Sequence, residues 1–447
     1  MAYNLRSSKF TLLTLPTEVL TYILIKLDKH DLRNLMLTCK FLKEFIKNNN
    51  TVWRSQPHEQ MLIFNSLGSS KRDYFTVFDR CRISFNWRKG IYRNKILLRH
   101  NENFMPWLKF HNSEILLMAF GSKLHGYKSD RTGTPDCKKA AWEVIMPTVE
   151  RHDVRTNDIS RFVFKDGFLV CGNRDGCFAV YKAEDITKSP QLMCHVVDCH
   201  NNGYYEVTAV EMINRKTLNP TVVSGSNNCS TLKMFSIKSD KNPKTFNDVP
   251  MFSYDNKDIT NIEVKNGRGF SCMHLNSMND RLIVGLYENS KPILIDVNTG
   301  TVMMTQNGSR NVVRDVQWHD NNVVVYVTYF GMLQCIDTRT HQVVFDTFDP
   351  FQSSLYCVKT DGFRSLVVGA SEYCRCSLFD IRYSKGHLQL FYTQKRQSPV
   401  YSLDFDSTKL IAAVDRNVAV LNFDDIHYGE RKDYSQQFQL IHYSNDL

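Results

Sequence analysis

The first part of the chain spaces its apolar residues as amphipathic α-helices do. Pro16 is expected at a first helical position, where its missing N–H costs nothing, and Glu18 then lies in the first turn, where the helix dipole favours a carboxylate. A broad apolar stripe at helical spacing follows, on Val19, Leu20, Ile23, Leu24 and Leu27. This pattern predicts a helix that begins near residue 16.

Two capping signals predict further helices. Asp28 is a favourable N-cap, and Asp31, three residues later, makes this start similar to a capping box. Thr38 is expected to cap a third helix, and the polar run KNNNT, residues 47–51, is predicted to be a loop. The apolar positions of these two helices are Leu32, Leu35, Cys39, Phe41, Leu42, Phe45 and Ile46, and the loop is followed by Val52 and Trp53.

Three short helices cannot bury this much apolar surface among themselves. Each large aliphatic side chain that stays in water loses the roughly 1.5–3 kcal/mol of stabilising free energy that its burial would contribute. We therefore expect part of the helical surface to contact another chain, as an amphipathic helix contacts a groove. The alternative is that the remainder of the protein covers it.

After about residue 100 the period changes from that of helices to that of strands. Seven segments each combine an apolar strand, a small polar turn and a second apolar strand. They end at Lys128, Lys182, Ser236, Asp296, Asp337, Asp380 and Asn422. The last three intervals, 41, 43 and 42 residues, match a four-stranded propeller blade, and the first three, 54, 54 and 60, match a blade with loop insertions.

An additional apolar strand precedes each of these segments. The seven upstream strands are PWLKF, ISRFVF, VTAVEMI, FSCMHL, VRDVQW, LYCVKT and VYSLDF. Together they predict a seven-bladed ring, in which NKILLRH, residues 94–100, supplies the last outer strand of the seventh blade. A pair of β-sandwiches is the alternative, and it does not explain six ordered intervals.

Composition excludes several classes of protein. With 42% hydrophobic and 12% aromatic residues the chain can build cores, so wholesale disorder is excluded. Its 13 cysteines follow no disulfide spacing, and residues 1–10 lack the apolar segment of a signal peptide. We expect a protein of the cytoplasm or nucleus with reduced thiols, neither secreted nor membrane-spanning.

The net charge of +10 is unevenly distributed. Residues 71–100 contain two acidic residues, Asp73 and Asp79, against a run of basic ones, Lys71, Arg72, Arg80, Arg82, Arg88, Lys89, Arg93, Lys95 and Arg99. A solvated helix face is one interpretation, and a nucleic-acid-binding stripe is the other. No known nucleic-acid-binding motif accompanies the stripe, so nucleic acid is not the expected partner.

Candidate chemistry is sparse. CHVVDCH, residues 194–200, groups two cysteines and two histidines but lacks the second ligand pair of a zinc site, and CRC at 374–376 has no adjoining histidines. There is no GxSxG, HExxH, P-loop or dinucleotide fingerprint. We therefore predict no metal, no cofactor and no catalytic residues; an enzymatic propeller remains the alternative, with a carboxylate pair that the sequence does not locate.

The helical stretch LPTEVLTYILIKLDKHDLRNLMLTCKFLKEF, followed by VWR at 52–54, resembles an F-box. The resemblance implies binding to the Skp adaptor of a cullin- and RING-based ubiquitin ligase, the SCF complex. Its implied Skp contacts are Leu15, Pro16, Leu20, Ile23, Leu24, Leu27, Leu32, Leu35 and Trp53.

The predicted ring resembles a WD-repeat propeller. IDTR at 336–339 and FDIR at 379–382 stand where Trp-Asp occurs in that family, with the Asp kept, and the Gly-His pair is absent nearly throughout. Some of the family's turn hydrogen bonds are therefore expected to be replaced. Short matches at NWRKG, ILLRH, MPWLKF, SSLYCVKTDG and SPVYSLDF resemble one animal branch of the F-box/WD-repeat proteins.

The expected fold class is α plus all-β: an F-box helical bundle, a helical linker and a seven-bladed WD-like propeller. The predicted bounds are a flexible N-terminus at 1–10, the F-box at 11–56, the linker at 57–93, the propeller at 94–425 and a C-terminal tail at 426–447. RDYFTVFDRCRISF in the linker is predicted to be helical, which indicates a semi-rigid spacer.

In such a ring, the loops between second and third strands and the entries to first strands share the top face. Tyr and Arg there are typical interface anchors, and Arg pairs well with acidic or phosphorylated side chains. Solvated rim residues without a ligand are the alternative. The candidates for binding an unknown target protein are Arg174, Asp175, Asn227, Asn228, Arg310, Tyr329, Phe330, Glu372, Tyr373, Arg396 and Arg416.

Overall fold

The computed structural model describes residues 11–56, 75–99, 105–214, 220–237, 244–246, 249–251, 259–265, 267–304, 309–383, 386–394 and 397–424. The predicted terminal segments 1–10 and 426–447 lie outside these ranges. The helices of the described residues are a 3-10 turn at Leu12–Thr14, then α1 Thr17–Leu24, α2 Lys29–Thr38, α3 Lys40–Asn48, α4 Asn50–Ser55 and α5 Val77–Lys89, and a second 3-10 turn at Asn201–Gly203. Strands joined by turns and loops follow α5, and the α plus all-β fold class is confirmed.

The structure confirms the predicted cap of α2 and differs from the prediction at the starts of α1, α3 and α4. Asp28 caps α2 as predicted, and its carboxylate accepts from the Asp31 N–H at 2.8 Å. Pro16 is the residue before α1 rather than its first residue. Cys39 replaces Thr38 as the cap of α3, because the Thr38 hydroxyl donates back to Leu35 O, at the end of α2. The predicted loop at 47–51 is mostly helical, since the Asn49 side chain accepts from two N–H groups and starts α4.

The five helices share one core. Its buried members are Leu20, Leu24, Leu32, Leu42, Ile46, Val52, Trp53 and Cys81. Cys81 belongs to α5, so the linker helix closes this core. The Trp53 indole N–H donates to Ile46 O at 2.7 Å, which satisfies its buried polar atom.

Seven four-stranded antiparallel sheets follow, and each is one blade of a ring. In chain order the strands of blades 1 to 3 are β2 Trp107–His111, β3 Ile115–Phe120, β4 Lys123–Lys128, β5 Trp142–Ile145; β6 Ile159–Lys165, β7 Phe168–Asn173, β8 Phe178–Lys182, β9 Gln191–Val196; and β10 Ala209–Ile213, β11 Thr221–Gly225, β12 Thr231–Ser236, β15 Ile259–Glu263. Blades 4 to 6 are β16 Phe270–Leu275, β17 Arg281–Leu286, β18 Ile293–Asp296, β19 Val302–Met304; β20 Val313–Trp318, β21 Val323–Thr328, β22 Met332–Asp337, β23 Gln342–Phe348; and β24 Leu355–Thr360, β25 Ser365–Ala370, β26 Arg375–Asp380, β27 Gln389–Tyr392.

Blade 7 closes the circle with strands from both ends of the ring. It contains β28 Ser402–Phe405, β29 Lys409–Ala413, β30 Asn417–Asn422 and, as its outer strand, β1 Arg93–Arg99. The predicted role of NKILLRH as the outer strand is thereby confirmed for residues 94–99, and residue 100 lies outside the described residues. The two extra strands β13 Lys244–Phe246 and β14 Val249–Met251 form a hairpin inserted between β12 and β15, which accounts for the longest blade interval.

Side chains of the inner strands tie each blade to the next. In blade 7 the Ser402 hydroxyl accepts from the Leu108 N–H and donates to Pro106 O, both at 3.0 Å. Bonds from an inner-strand side chain to the neighbouring backbone recur at all the other junctions, at Lys109–Phe164, Ser160–Val207, Thr208–Phe270, Ser271–Val313, Asp315–Val358 and Cys357–Val400. They supply ring closure without the Gly-His pair.

The aspartates retained from the WD pattern organise turns. Asp337 accepts from the backbone of Arg339 at 2.9 Å and holds its guanidinium in a two-pronged ion pair, and Asp380 does the same with Arg382. Arg is thus the partner of each of these Asp residues, and the buried Ile336 and Phe379 occupy the Trp position.

The linker helix α5 is docked at both ends. Near its start Phe78 packs on Trp53, with ring centroids 5.0 Å apart. Near its end Asn86 donates to Phe423 O at 2.7 Å and the Trp87 indole donates to Ser407 O at 2.8 Å. Gly90 ends the helix in the left-handed conformation at φ 62°. The described part of the predicted spacer, residues 75–93, therefore contains a packed helix that connects the helical core to blade 7, and residues 57–74 lie outside the described ranges.

Candidate partner-binding surfaces

Four of the predicted Skp contacts lie in the interior of the helical domain. Leu20, Leu24, Leu32 and Trp53 are buried, with at most 5% of their surface exposed. The assignment of these residues to a contact surface is wrong, because helices α1 to α5 use them for their own core. Of the remaining predicted contacts, Ile23 and Pro16 are exposed, and Leu15, Leu27 and Leu35 are half-buried.

Other apolar residues of the same helices face solvent. Val19, Tyr22 and Ile23 are three and four residues apart and occupy one side of α1, opposite to Leu20 and Leu24. The exposed fractions are 44% for Val19, 64% for Tyr22 and 37% for Ile23. Leu12, Leu13, Leu37 and Phe41 are exposed as well. Tyr22 and Leu37 were not among the contacts predicted from the sequence, although the helical spacing of Val19, Tyr22 and Ile23 could have indicated a shared exposed side.

Strand connectivity defines the two faces of the ring. In each antiparallel blade the first-to-second and third-to-fourth connections lie on one face, here called the bottom face, and the other connections lie on the top face. Helix α5 contacts Ser407, between β28 and β29, and Phe423, which follows β30. Both contacts are on the bottom face, so the predicted target-binding loops lie on the opposite side from the helical domain.

Six of the predicted top-face residues are exposed: Arg174, Asn228, Arg310, Tyr329, Phe330 and Arg416. Tyr329 and Phe330 are neighbours in space as well as in sequence, with ring centroids 6.1 Å apart. A surface aromatic pair of this kind is typical of interface anchors.

The other predicted top-face residues are not free surface groups. Asp175 is buried and accepts from the Arg151 guanidinium at 2.6 Å, so its assignment to target binding is wrong. Asn227 is half-buried and donates to Glu206 at 2.6 Å. Tyr373 is only 9% exposed, which leaves little of its ring for a partner. Glu372 is half-buried and accepts from Ser353 at 3.3 Å. Arg396 lies outside the described residues.

The structure adds a site that the sequence did not indicate, at the top mouth of the central channel. The Arg161 guanidinium lies 3.6 Å from the centroid of the Trp107 ring, and the Arg314 guanidinium lies 4.5 Å from that of Tyr356. Tyr356 packs edge-on against Tyr401, with centroids 5.7 Å apart. Cation–π stacking holds both arginines flat on their rings, and Arg161 also donates to the backbone oxygen of Arg314 at 3.2 Å.

Electrostatics distinguish the two arginines. Arg161 lies 3.5 Å from Asp315, a carboxylate of the opposite part of the ring. Within the described ranges Arg314 forms no ion pair. Burial raises the pKa of the Tyr401 hydroxyl, and so does its 2.6 Å hydrogen bond to Asp415, while the positive charge of Arg314 opposes this shift. The channel mouth thus presents a positive, aromatic surface.

Part of the basic stripe at 71–100 has a structural role. Arg82 pairs with Asp79 and with Asp424, which fixes α5 against the end of blade 7. Arg80, Lys89, Arg93, Lys95 and Arg99 are exposed. The solvated face and the nucleic-acid interface both remain predictions for these side chains.

The CHVVDCH run forms the end of an outer strand, β9, and the loop after it, as predicted. His200 bonds Ser224 at 2.9 Å, and burial lowers the pKa of both His195 and His200 to about 4. No group of three metal-ligating side chains occurs in the part of the chain that the structure describes. All 13 cysteines are free thiols, and all but Cys39 and Cys229 are buried. None of the described helices is long and apolar enough to span a membrane.

The fold defines the class: an F-box-like helical domain followed by a seven-bladed β-propeller. A family model described as F-box-like matches residues 12–56. Over 438 residues the chain is 25% identical to F-box/WD repeat-containing protein 4 of Mus musculus and to its namesake of Homo sapiens, with 92% of this chain and 92% of each relative covered. The five short sequence matches indicated the dactylin type, the fourth F-box/WD-repeat protein of animals, and this resemblance is confirmed. The combination supports a general role in substrate recognition within SCF ubiquitin ligases.

Proposed function

We propose that this protein is the substrate-recognition subunit of an SCF ubiquitin ligase. Its F-box-like helices bind the Skp subunit and, through it, the cullin and RING subunits. Its propeller binds a target protein for ubiquitination and degradation. The chain itself is non-catalytic, since the other subunits transfer ubiquitin. Its site of action is the cytoplasm, the nucleus or both.

The observation that carries the proposal is the exposed apolar side of a helical domain whose own core is already complete. Leu20, Leu24 and Trp53 fill that core together with Cys81 of the linker helix. Val19, Tyr22 and Ile23 are left in water. Burying such side chains is worth roughly 1.5–3 kcal/mol each, so a partner chain that covers them gains affinity from surface the protein does not use itself.

The target side of the proposal rests on the top face. Tyr329 and Phe330 supply apolar contact, and Arg314 supplies positive charge at the channel mouth, where Arg161 is paired with Asp315. Stacked arginines bind carboxylates with little loss of side-chain freedom, because the rings already hold them. A target segment that combines acidic and apolar side chains fits this surface.

The mechanism is positional. Because α5 packs on the helical core at Phe78 and on blade 7 at Trp87, the distance between the ligase core and the bound target is fixed. A target lysine held near the ubiquitin-charged subunits has a raised effective concentration there. No side chain of this protein needs to take part in the transfer.

Co-purification from cells tests the proposal. The double variant Val19→Asp, Ile23→Asp places two charges on the exposed side of α1 and leaves Leu20 and Leu24 in the core. We expect it to lose Skp and cullin while it retains the proteins bound by the propeller. The matched control is Val154→Asp, Ile145→Asp, which makes the same changes at exposed propeller positions and is expected to recover Skp normally. Equal recovery of Skp and cullin by both double variants would refute the ligase assignment.

A further inference from the structure

The lower half of the central channel contains a cluster of lysines that the proposed function does not use. Lys109, Lys165 and Lys359 lie on the inner strands β2, β6 and β24; Lys165 and Lys359 are near the bottom ends of their strands, and Lys109 is at the middle of β2. Each is half-buried in the channel. Their charges act on one another: burial and the positive charges of Lys359 and Lys165 lower the pKa of Lys109.

These ammonium groups have unused hydrogen-bond donors. Lys109 donates to Phe164 O at 2.8 Å, and Lys165 donates to Asn279. Among the described residues Lys359 makes no side-chain hydrogen bond, and none of the three lysines forms an ion pair. Since each ammonium carries three N–H donors, most of the donors of the cluster have no partner in the protein.

The carboxylates nearby are bound to backbone amides. Glu211 accepts from the N–H groups of Met212 and Leu275, both at 3.0 Å. Asp404 accepts from Phe110 at 2.8 Å and from Phe405 at 3.0 Å. The negative charges of these two residues reach Lys109 and oppose the lowering of its pKa. They reduce the positive potential of the channel without occupying the lysine donors.

A histidine adds one more donor. Burial and the three lysine charges lower the pKa of His274 to about 3, so the ring is neutral. Its Nδ1 accepts from the Trp318 N–H at 3.3 Å, which places the ring proton on Nε2. His111, at the bottom end of β2, also has its pKa lowered by burial and by Lys109.

We infer that the lower channel binds a small oligophosphate anion, held by Lys109, Lys165 and Lys359. Such an anion has several charges and many acceptor oxygens close together, which is what three neighbouring ammonium groups with free donors require. A single carboxylate offers too few acceptors for all three. The site lies apart from the exposed apolar residues of α1 and does not depend on the assignment to a ubiquitin ligase.

Isothermal titration calorimetry of the purified full chain with inorganic tripolyphosphate, at low ionic strength, tests this inference. We expect one bound anion per chain. The triple variant Lys109→Gln, Lys165→Gln, Lys359→Gln is expected to bind at least about tenfold more weakly, because it loses charge-assisted hydrogen bonds. The single variant Lys359→Gln, which breaks no hydrogen bond in the described protein, tests the site even where the triple variant unfolds; it is expected to weaken binding about threefold or more.

The matched control removes the same charge from the outer surface. Lys95, Lys138 and Lys139 are exposed, and Lys95→Gln, Lys138→Gln, Lys139→Gln is expected to change the affinity less than about twofold. Equal weakening by the two triple variants would mean attraction by net charge alone and overturn the inference, as would absence of binding to the unaltered chain. Hexaglutamate provides the second arm: if it binds as tightly as tripolyphosphate, the assignment to phosphate is wrong.

Discussion

The indole of Trp87 lies on the ring of Phe423, with the ring centroids 3.6 Å apart and the planes inclined by 15°. Trp87 belongs to the linker helix and Phe423 follows the last strand of the propeller, so this stack joins the two parts of the protein. Phe391 of blade 6 packs against the edge of Trp87 at 5.5 Å. Because these rings are fully buried, the linker helix is a continuation of the propeller core.

Replacement of Trp87 by alanine is expected to lower the free energy of unfolding by about 3–5 kcal/mol, the usual cost of emptying a buried aromatic site. Urea unfolding followed by circular dichroism measures it. Phe85→Ala, in the same helix at a half-buried position, is the control and is expected to cost less than half as much. Similar losses for both variants would contradict the special role of the Trp87–Phe423 stack.

Ring closure depends on the inner-strand hydrogen bonds. Ser402→Ala leaves the buried Leu108 N–H and Pro106 C=O without their partner, so we expect a loss of about 1–3 kcal/mol. Ser277→Ala removes an exposed hydroxyl that donates to Asn321 and is expected to cost less than about 0.5 kcal/mol. Thermal unfolding of the two variants side by side distinguishes them, and no difference would show that the blade 7–blade 1 contact is held by packing alone.

Stability is expected to fall in mild acid because of His200. Burial lowers its pKa from 6.5 to about 4, so between these values the unfolded chain takes up a proton that the folded protein does not. The stabilisation is complete above pH 6.5 and is lost as the pH falls to about 4, a change of up to ~3 kcal/mol. His200→Gln should flatten this part of the stability curve, and His152→Gln, at an exposed position, should not. A curve that is unchanged by His200→Gln rules out this origin of the acid sensitivity.

Arg314 is expected to matter for the target and not for the ligase core. In proximity labelling, Arg314→Ala should reduce the set of propeller-dependent partners and leave Skp recovery unchanged, because its guanidinium is the uncompensated charge of the channel mouth. Arg131→Ala removes an exposed arginine from the bottom-face loop between β4 and β5 and serves as the control. Identical partner sets for both variants would exclude the channel mouth from target binding.

The architecture could be predicted because each strand and turn shows its own pattern of apolar and polar residues. Strand pairs such as LYCVKT at 355–360, which is β24 residue for residue, are identified by their own alternation and by the turns beside them. The closing role of β1 followed from counting, since the seventh unit lacked an outer strand.

The site was predictable only in part, because burial depends on partners that are distant in the chain. Leu20 and Val19 are equally apolar neighbours, and Leu20 is interior because residues of α2 to α5, up to about sixty positions later, form a core with it. Asp175 has a structural role because it pairs with Arg151. Arg161 stacks on Trp107 and contacts Asp315, which is 154 positions later in the chain. No periodicity in one sequence encodes such pairs.

The affinity of the purified chain for the purified Skp subunit tests the central claim most directly. The account predicts a one-to-one complex of submicromolar affinity, weakened at least about a hundredfold by Val19→Asp, Ile23→Asp and unaffected by Val154→Asp, Ile145→Asp. A folded chain that does not bind Skp, or that binds it equally well with both pairs of substitutions, contradicts the account.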